Sequence, residues 1–342
     1  MIRVAVNGFG RIGRCFFKLA LEKKELALVA VNDLTDPANL AYLLRYDTVY
    51  GRYDKPVEVR GDSLLVGGSL GGARDKQKIK VLSEKDPTAL PWKKLGVDVV
   101  VESTGRFANL EDASKHIQAG AKKVVISAPA EDVTQLLIGV NDKGFEEPDL
   151  PVVTCNGSCT TNAVAPVVAV AMENPGVVKG MLNTVHAYTA TQNLVDGPAT
   201  KDYRRGRSAA ANIVPSTTGA AEAVIASLPE LKGRFDGIAM RVPVVCGSIA
   251  DFTFLAKRKT SVSEINGIFK KAAKTKRWEG ILKVTEEPLT SADIIADPYA
   301  SIVDLTLTRV IDDDFVKVLA WYDNEWAYAV TLVEHVLRVS KR

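Results

Sequence analysis

Cys159 lies in the stretch Cys155-Asn156-Gly157-Ser158-Cys159-Thr160-Thr161-Asn162, which leads into a run of small apolar residues ending at Met172, read as a helix. A thiol in the first turn of a helix faces free backbone N–H groups and the positive end of the macrodipole, and both favour a thiolate. That is the setting of a nucleophile. The competing reading is a core residue at a loop-to-helix junction, since free cysteines are among the most buried residue types. A potent thiolate at neutral pH also needs a base or an ion-pair partner. Of the three histidines, His116 lies in a polar helix and His335 in the terminal helix near Arg338 and Lys341, so both read as exposed helix-surface residues. His186, on an expected strand from Gly180 to Tyr188, remains as the partner for Cys159, with a structural strand histidine as the alternative.

Three further places could hold an anion. Thr189 to Gly219 has little periodicity, and a loop of that length inside a domain is usually functional. It carries Lys201, Arg204, Arg205 and Arg207, whose charge suits phosphate groups but equally a solvated face or a subunit contact. Ser216-Thr217-Thr218-Gly219 places hydroxyls and N–H groups just before a helix expected from Ala220 to Leu228. Arg241 interrupts the apolar strand Gly237 to Val245 and needs either a carboxylate or a bound anion. Ile249 to Ala256 is the expected antiparallel neighbour of that strand.

The elements that must position this chemistry begin at the N-terminus. Residues 2 to 7 read as a buried strand, followed by Gly8-Phe9-Gly10-Arg11-Ile12-Gly13 and a helix with Ile12, Phe16, Leu19 and Ala20 on one face. A second apolar run, Ala27 to Val31, ends in Asn32-Asp33, about 20 residues beyond Gly13. In such a unit the first glycine makes the turn, the second admits a pyrophosphate, the third lets helix and strand pack, and the carboxylate takes the ribose hydroxyls. The stretch therefore predicts a dinucleotide site, and Asp33, repelling a 2′-phosphate, predicts NAD over NADP.

A helix from Asn39 to Tyr46 and short strands at Val57 to Val59, Leu64 to Val66 and Ile79 to Leu82 follow, with a surface loop at Gly67-Gly68-Ser69-Leu70-Gly71-Gly72. Parallel strands resume at Val97 to Val101 and Val124 to Ile126 around a helix from Leu110 to Ala119, the pattern of a doubly wound sheet. Ligands of such sheets lie at the carboxyl ends of the strands, which makes the loops Glu102-Ser103-Thr104-Gly105-Arg106-Phe107 and Ser127-Ala128-Pro129 candidates. Ordinary turn chemistry is the alternative for each.

At 342 residues two domains are expected. The net charge of +3 comes from 44 basic and 41 acidic side chains without blocks of one sign, so no nucleic-acid partner is indicated. Four cysteines make no disulfide framework, and Cys155 with Cys159 lacks the other ligands of a zinc site, so no metal is expected. The chain enters a strand at once, without a secretory signal, and Ala163 to Met172, its longest apolar run, is short of the roughly 20 residues that span a bilayer. A soluble, cytoplasmic protein is expected.

Asn7-Gly8-Phe9-Gly10-Arg11-Ile12-Gly13-Arg14, Ser158-Cys159-Thr160-Thr161-Asn162, His186-Ala187-Tyr188-Thr189 and Trp321-Tyr322-Asp323-Asn324-Glu325-Trp326 together closely resemble the phosphorylating glyceraldehyde-3-phosphate dehydrogenases, over essentially the whole chain. The resemblance implies a Rossmann-type doubly wound domain at 1–158, completed by the helix 325–342. It implies an α+β catalytic domain with a mainly antiparallel sheet at 159–324, including the loop 190–215. It further implies that Cys159 attacks glyceraldehyde 3-phosphate with His186 activating the thiol, NAD taking the hydride and inorganic phosphate cleaving the thioester. Thr189 and Arg241 would hold the substrate phosphate. Ser158, Thr160, Thr218, Gly219 and Arg205 would hold the attacking phosphate. Arg11, Ile12, Asp33, Lys85, Ser127 and Asn324 would touch the cofactor, and the family is tetrameric.

The sequence departs from the family in having Ala163 where many members carry a second cysteine, with Cys155 on the other side of the nucleophile. The loop from Gly67 to Gln77 looks longer than usual, and Leu34 follows Asp33 where NADP-using relatives tend to have smaller residues. Erythrose-4-phosphate dehydrogenase shares the cysteine motif and fold, but His186-Ala187-Tyr188-Thr189-Ala190-Thr191-Gln192 follows the glyceraldehyde-3-phosphate enzymes. A non-catalytic RNA- or protein-binding role on the same fold is the other alternative.

Overall fold

The computed structural model describes residues 1–67, 76–200 and 202–341. Gly68 to Gly72 of the glycine-rich loop, and Lys201 of the basic cluster, lie outside the described residues. The chain divides into two compact units, Met1–Leu136 with Lys143–Asn156 and Leu332–Arg342, and Leu137–Asp142 with Gly157–Thr331. One crossing of the chain between the units falls between Asn156 and Gly157. The segment Leu137–Asp142 belongs with the second unit, and the terminal helix is shared, residues before Leu332 packing with the second unit.

The first unit is built on a sheet whose described strands lie in the order Thr134–Gln135, Val153–Cys155, Lys123–Ile126, Val99–Glu102, Ile2–Asn7, Leu26–Asn32, Gln77–Leu82, Ser63–Val66 and Val57–Arg60. Strand pairing is parallel through Gln77–Leu82 and antiparallel beyond it. Burial on both faces explains the continuous apolar runs: Val4, Ala5, Val6, Val99, Val100 and Val101 are all fully or nearly fully enclosed. The strand order reverses at Ile2–Asn7, where Asn7 stands opposite Asn32 on one side and Glu102 on the other. That is the topological switch point at which open α/β sheets bind their ligands. The helices start where the local chemistry allows. Asp36 accepts the N–H groups of Ala38 and Asn39 before Pro37–Arg45, and Asn109 accepts that of Asp112 before Leu110–Gln118.

The second unit has a sheet ordered Val214–Thr217, Phe235–Val242, Val177–Ala187, Ser248–Ala256, Phe315–Tyr322, Ser301–Ile311 and Leu282–Thr285. Ser248–Ala256 alternates buried and half-buried residues along its length, with Ala250, Phe252 and Phe254 on the covered face. Its neighbours correct the sequence expectation: it pairs antiparallel with Val177–Ala187 and Phe315–Tyr322, not with Phe235–Val242. Val177–Ala187 inserts between the two and pairs parallel with Phe235–Val242. Adjacency in sequence suggested a hairpin, whereas the central strand is the longer apolar partner available to both.

Two histidines are also placed differently from expectation. His116 and His335 are fully buried. His116 shares its inward face with Ala113, and the indole N–H of Trp92 donates to its Nδ1 at 3.0 Å. His335 lies beside Leu332 and Val336, its Nε2 2.9 Å from Thr154 Oγ1 and its Nδ1 3.1 Å from Asn156 Oδ1. Burial pushes its pKa down from 6.5 to about 3, with the Arg338 charge adding to the effect. Between those values the unfolded chain binds the extra proton, so this contribution to stability is complete above about pH 6.5 and is lost as pH falls toward 3. We expect the melting temperature to drop between pH 7 and pH 5, and His335→Gln to show a shallower drop when both proteins are melted side by side across that range.

Candidate active site

The helix Cys159–Glu173 begins with a reciprocal cap. Ser158 Oγ accepts the N–H of Thr161 at 3.0 Å, and the Ser158 N–H donates to Thr161 Oγ1 at 3.3 Å. Tyr328 O–H donates to the carbonyl of Gly157 at 2.9 Å, fixing the turn ahead of the cap. Cys159 is thereby held at the first helical position with its Sγ 3.3 Å from His186 Nε2. The pairing anticipated from chemistry alone is made by a helix start and a strand end of the same unit.

Strand register supplies the third member. In the parallel pair of Val177–Ala187 with Phe235–Val242, His186 stands opposite Arg241. Arg241 Nη1 approaches His186 Nδ1 to 2.8 Å and donates to the Ala187 carbonyl at 3.2 Å. Ala187 O also lies 2.6 Å from Nδ1. Nδ1 thus faces a carbonyl that only accepts and a guanidinium that only donates. Because the carbonyl is the shorter contact and can accept from both, we assign the proton to Nδ1 and the Arg241 hydrogen bond to the Ala187 carbonyl, which leaves the Nε2 lone pair facing the thiol.

Burial pushes the Cys159 thiol up, against the opposing pull of the Arg241 charge, the Thr160 hydroxyl and N–H and its own N–H. Burial, reinforced by Arg241, pushes His186 down to about 3. The helix terminus alone therefore does not decide the state of the thiol, in keeping with the need for a base or ion-pair partner read from the sequence. Desolvation opposes the dipole at Cys159, and at His186 it favours the neutral imidazole.

Tyr322 belongs to this site and was given no role from sequence. It is buried, its hydroxyl lies 2.9 Å from Thr160 Oγ1 and 2.8 Å from Thr184 Oγ1, and its ring meets His186 edge to face with centroids 5.9 Å apart. The period-2 burial of Phe315–Tyr322 was the signal that could have found it. Thr160 is thus occupied by Tyr322, while Thr189 Oγ1 is 2.9 Å from Thr191 Oγ1. Thr218 Oγ1 accepts the N–H of Ala220, and Gly219 is the exposed cap of Ala220–Ser227.

The three arginines of the long loop separate clearly. Arg204 pairs with Asp202 and Arg207 with Asp196, both on the surface. Arg205 turns to Ser216, donating from Nη2 at 2.6 Å and from Nε at 3.1 Å, and its charge is felt by Arg241. Arg241 is half-buried, and among the described residues it meets His186 Nδ1 and the Ala187 carbonyl and no carboxylate.

In the first unit the glycines of the N-terminal turn have distinct environments. Gly8 has φ +93°, and a Cβ there would lie 2.6 Å from Thr104 N. One on Gly13 would lie 2.1 Å from the Gly8 carbonyl, while one on Gly10 would meet nothing within 4 Å. The open position is the cap of helix Arg11–Ala20, where backbone N–H groups face outward. Asp33 accepts the N–H of Phe9 at 2.8 Å and of Thr35 at 3.0 Å, which sets its carboxylate at the glycine turn. These are the features a dinucleotide's pyrophosphate and ribose require.

Ile12 and Ser127 are half-buried, and Lys85 and Gly105 are exposed. Arg11 is engaged by Asp47 at 2.6 Å and lies over the Tyr50 ring. Asn324 belongs to the second unit, where its Oδ1 accepts from Gly247 N and Ser248 Oγ.

A Rossmann-type unit with an open glycine turn, joined in one chain to a unit carrying a half-buried cysteine against a buried histidine with Arg241 beside it, defines a dinucleotide-dependent oxidoreductase of the cysteine-nucleophile class. Comparison with known proteins gives the family. Residues 2–110 match the "Glyceraldehyde 3-phosphate dehydrogenase, NAD binding domain" and residues 158–324 the "Glyceraldehyde 3-phosphate dehydrogenase, C-terminal domain". The chain is 49% identical over 348 residues to a glyceraldehyde-3-phosphate dehydrogenase of Mycobacterium bovis, covering 99% of each chain. It is 50% identical over 336 residues to one of Streptomyces coelicolor, covering 97% of each, and 50% identical over 349 residues to one of Mycolicibacterium smegmatis, covering 99% of each. The chain belongs to the glyceraldehyde-3-phosphate dehydrogenase family.

The glycine geometry predicts a graded series. Gly10→Ala should fold with stability within about 1 kcal/mol of the parent, the cost of a tolerated surface change, while weakening NAD binding. Gly13→Ala, meeting a backbone carbonyl, should be destabilised by at least about 2 kcal/mol. Denaturant titration and NAD titration of both variants check the order; equal destabilisation would contradict the reading of Gly10 as the open position.

Proposed function

We propose that this protein oxidises D-glyceraldehyde 3-phosphate with NAD and inorganic phosphate to give 1,3-bisphosphoglycerate. The observation that carries the reading is the Cys159 Sγ–His186 Nε2 pair at 3.3 Å with Arg241 beside it, in a chain of this family. His186 Nε2 takes the thiol proton as Cys159 Sγ adds to the aldehyde carbon, and the proton passes to the new hydroxyl, giving a thiohemiacetal. Nε2 then takes the hydroxyl proton as the carbon gives up its hydride, leaving a thioester on Cys159. NAD, when bound, supplies the hydride acceptor. A phosphate oxygen attacks the thioester carbonyl, the acyl–sulfur bond breaks, and Cys159 leaves to be reprotonated.

Arg241, with Thr189 on the adjoining loop, is suited to the substrate phosphate. Arg205 with Ser158, Thr160, Thr218 and Gly219 is suited to the attacking phosphate. Transfer of Arg241 from His186 to an incoming phosphate would also relieve the cationic pressure on Nδ1 just when Nε2 must accept a proton. The first unit is assigned to NAD through Gly8, Gly10, Arg11, Ile12, Gly13, Asp33, Lys85, Thr104, Gly105 and Ser127, and the second to catalysis, with Asn324 reserved for the cofactor.

A homotetramer is part of the proposal. Met181 and Ile238 on the sheet of the second unit, and Leu194, Val195, Tyr203 and Ile213 in or next to its long loop, are exposed apolar groups that a neighbouring copy would cover. A cytoplasmic setting fits the free cysteines; no described helix is long and apolar enough to cross a membrane.

The test is phosphate-dependent NAD reduction with glyceraldehyde 3-phosphate, run against erythrose 4-phosphate and repeated with NADP. We expect Cys159→Ser to lose NADH formation while NAD titrates as in the parent, and His186→Asn to lose about 10²- to 10⁴-fold in kcat. Persistent turnover in Cys159→Ser, or a preference for erythrose 4-phosphate, would overturn the assignment.

A further inference from the structure

Glu102 is a carboxylate only 2% exposed, at the carboxyl end of a central strand of the first unit. An ion in that position costs several kcal/mol unless its oxygens are fully bonded. Here they are. Oε1 accepts the N–H of Thr104 at 2.8 Å and the Thr104 hydroxyl, and Oε2 accepts Asn7 Nδ2 at 2.5 Å. The last donor is His116. The Trp92 indole can only donate, so His116 Nδ1 accepts from it, the proton resides on Nε2, and Nε2–H donates to Glu102 Oε2 at 3.1 Å. One charge thus ties together the first strand, a helix and the loop after Glu102.

That loop is pinned from its other side as well. Ser103 Oγ donates to the carbonyls of Gly8 and Asn7, and Gly8, lacking a Cβ, admits Thr104 N against its own backbone. The chain continues toward Asp33. Asn7 Oδ1 accepts from Asn32 Nδ2 at 2.7 Å, and Asn32 exchanges hydrogen bonds with both the N–H and the carbonyl of Glu84. No amide in the series can turn over without breaking a buried bond.

We propose that Glu102 is a positioning residue for NAD: through Thr104 and Asn7, and oriented by His116, it fixes the loop at Thr104 relative to the glycine turn and the strand that ends at Asp33. This rests on the assignment of the first unit to NAD. Glu102 acts through these neighbours, all four hydrogen bonds of its carboxylate being to Thr104, Asn7 and His116. Its effect is to remove freedom that binding would otherwise have to remove, which appears in affinity and not in the chemistry at Cys159.

The test uses the full chain and NAD itself. Glu102→Gln presents, whichever way its amide turns, an N–H to a group that can only donate, Thr104 N on one side or Asn7 Nδ2 on the other. We therefore expect the NAD dissociation constant by calorimetric titration to rise about tenfold, the scale of one charge-assisted hydrogen bond. The KM for NAD should rise with it, while kcat at saturating NAD and the KM for the aldehyde stay within about twofold. His116→Phe, which removes the orienting donor, should follow in the same direction, and His116→Gln, which can still donate to Glu102, should recover most of the loss. A merely structural role would instead lower kcat and melting temperature together and leave the KM for NAD unmoved; that result, or an unchanged dissociation constant in Glu102→Gln, overturns the proposal. Should Glu102→Gln fail to fold, the His116 pair decides, and equal NAD affinity in the two variants overturns it. Failure of the unsubstituted protein to bind NAD would sink the functional assignment, a distinguishable outcome.

Discussion

The helix Cys159–Glu173 is enclosed on nearly every side, with its residues from Thr160 to Ala171 all buried. Such a helix cannot hand its orphan N–H groups to water, so its start has to be satisfied by the chain itself. Ser158 and Thr161 do so for the cap, and the first-turn N–H groups left over are those that point at Cys159. The same burial that encloses the helix also desolvates the thiol and pushes it up, against the pull of the dipole. Reactivity at Cys159 is then a conditional property, waiting on a base of the right tautomer and on a cation whose position a ligand can change.

Both of those come from sheet register. A parallel pair puts His186 and Arg241 side by side without either residue choosing its partner, and an antiparallel pair puts Val214 beside Arg241 and Ser216 beside Ala239. Ser216 in turn anchors Arg205. Two guanidinium groups with unlike surroundings, one against His186 and one on a hydroxyl, are what a reaction with two separate phosphates would need. A register slip of one residue on Phe235–Val242 would turn Arg241 to the opposite face of the sheet, so the alternation of that strand is part of the active site.

Much of this is legible in the amino-acid sequence. The glycine turn, the apolar strands of the first unit, the cysteine at a helix start and the long arginine-bearing loop all follow from local spacing, and local spacing is what a single sequence records. What escaped was decided by tertiary partners. Ser248–Ala256 was paired with the wrong strand because sequence adjacency carries no information about a third strand inserted between two others. His116 and His335 were read as surface residues from the polar character of their neighbours, although Ala113 with His116, and Leu332 with His335, already stand at the i, i+3 spacing of an inward stripe. Tyr322 was passed over inside a motif whose alternation placed it in the interior. For the two histidines and Tyr322, a polar residue type outweighed a periodicity that pointed inward.

The two buried histidines and Glu102 show why that bias misleads in an enzyme of this kind. A polar group inside a sheet is costly when unpaired, yet a fully bonded one defines direction in a way that packing of apolar side chains does not. Trp92, His116, Glu102, Asn7 and Asn32 form an ordered series in which every donor has a named acceptor, and the Trp92 end sets the tautomer at the Glu102 end. Asn156, bonded to His335, is the last residue of the first unit before the chain crosses to Gly157 and the cap of the Cys159 helix. Polar groups held in the interior thus lie at both chain segments that lead to chemistry, the loop beyond Glu102 and the turn before Ser158. Apolar burial supplies the cohesion of each unit, and these few satisfied polar contacts specify where its functional loops begin.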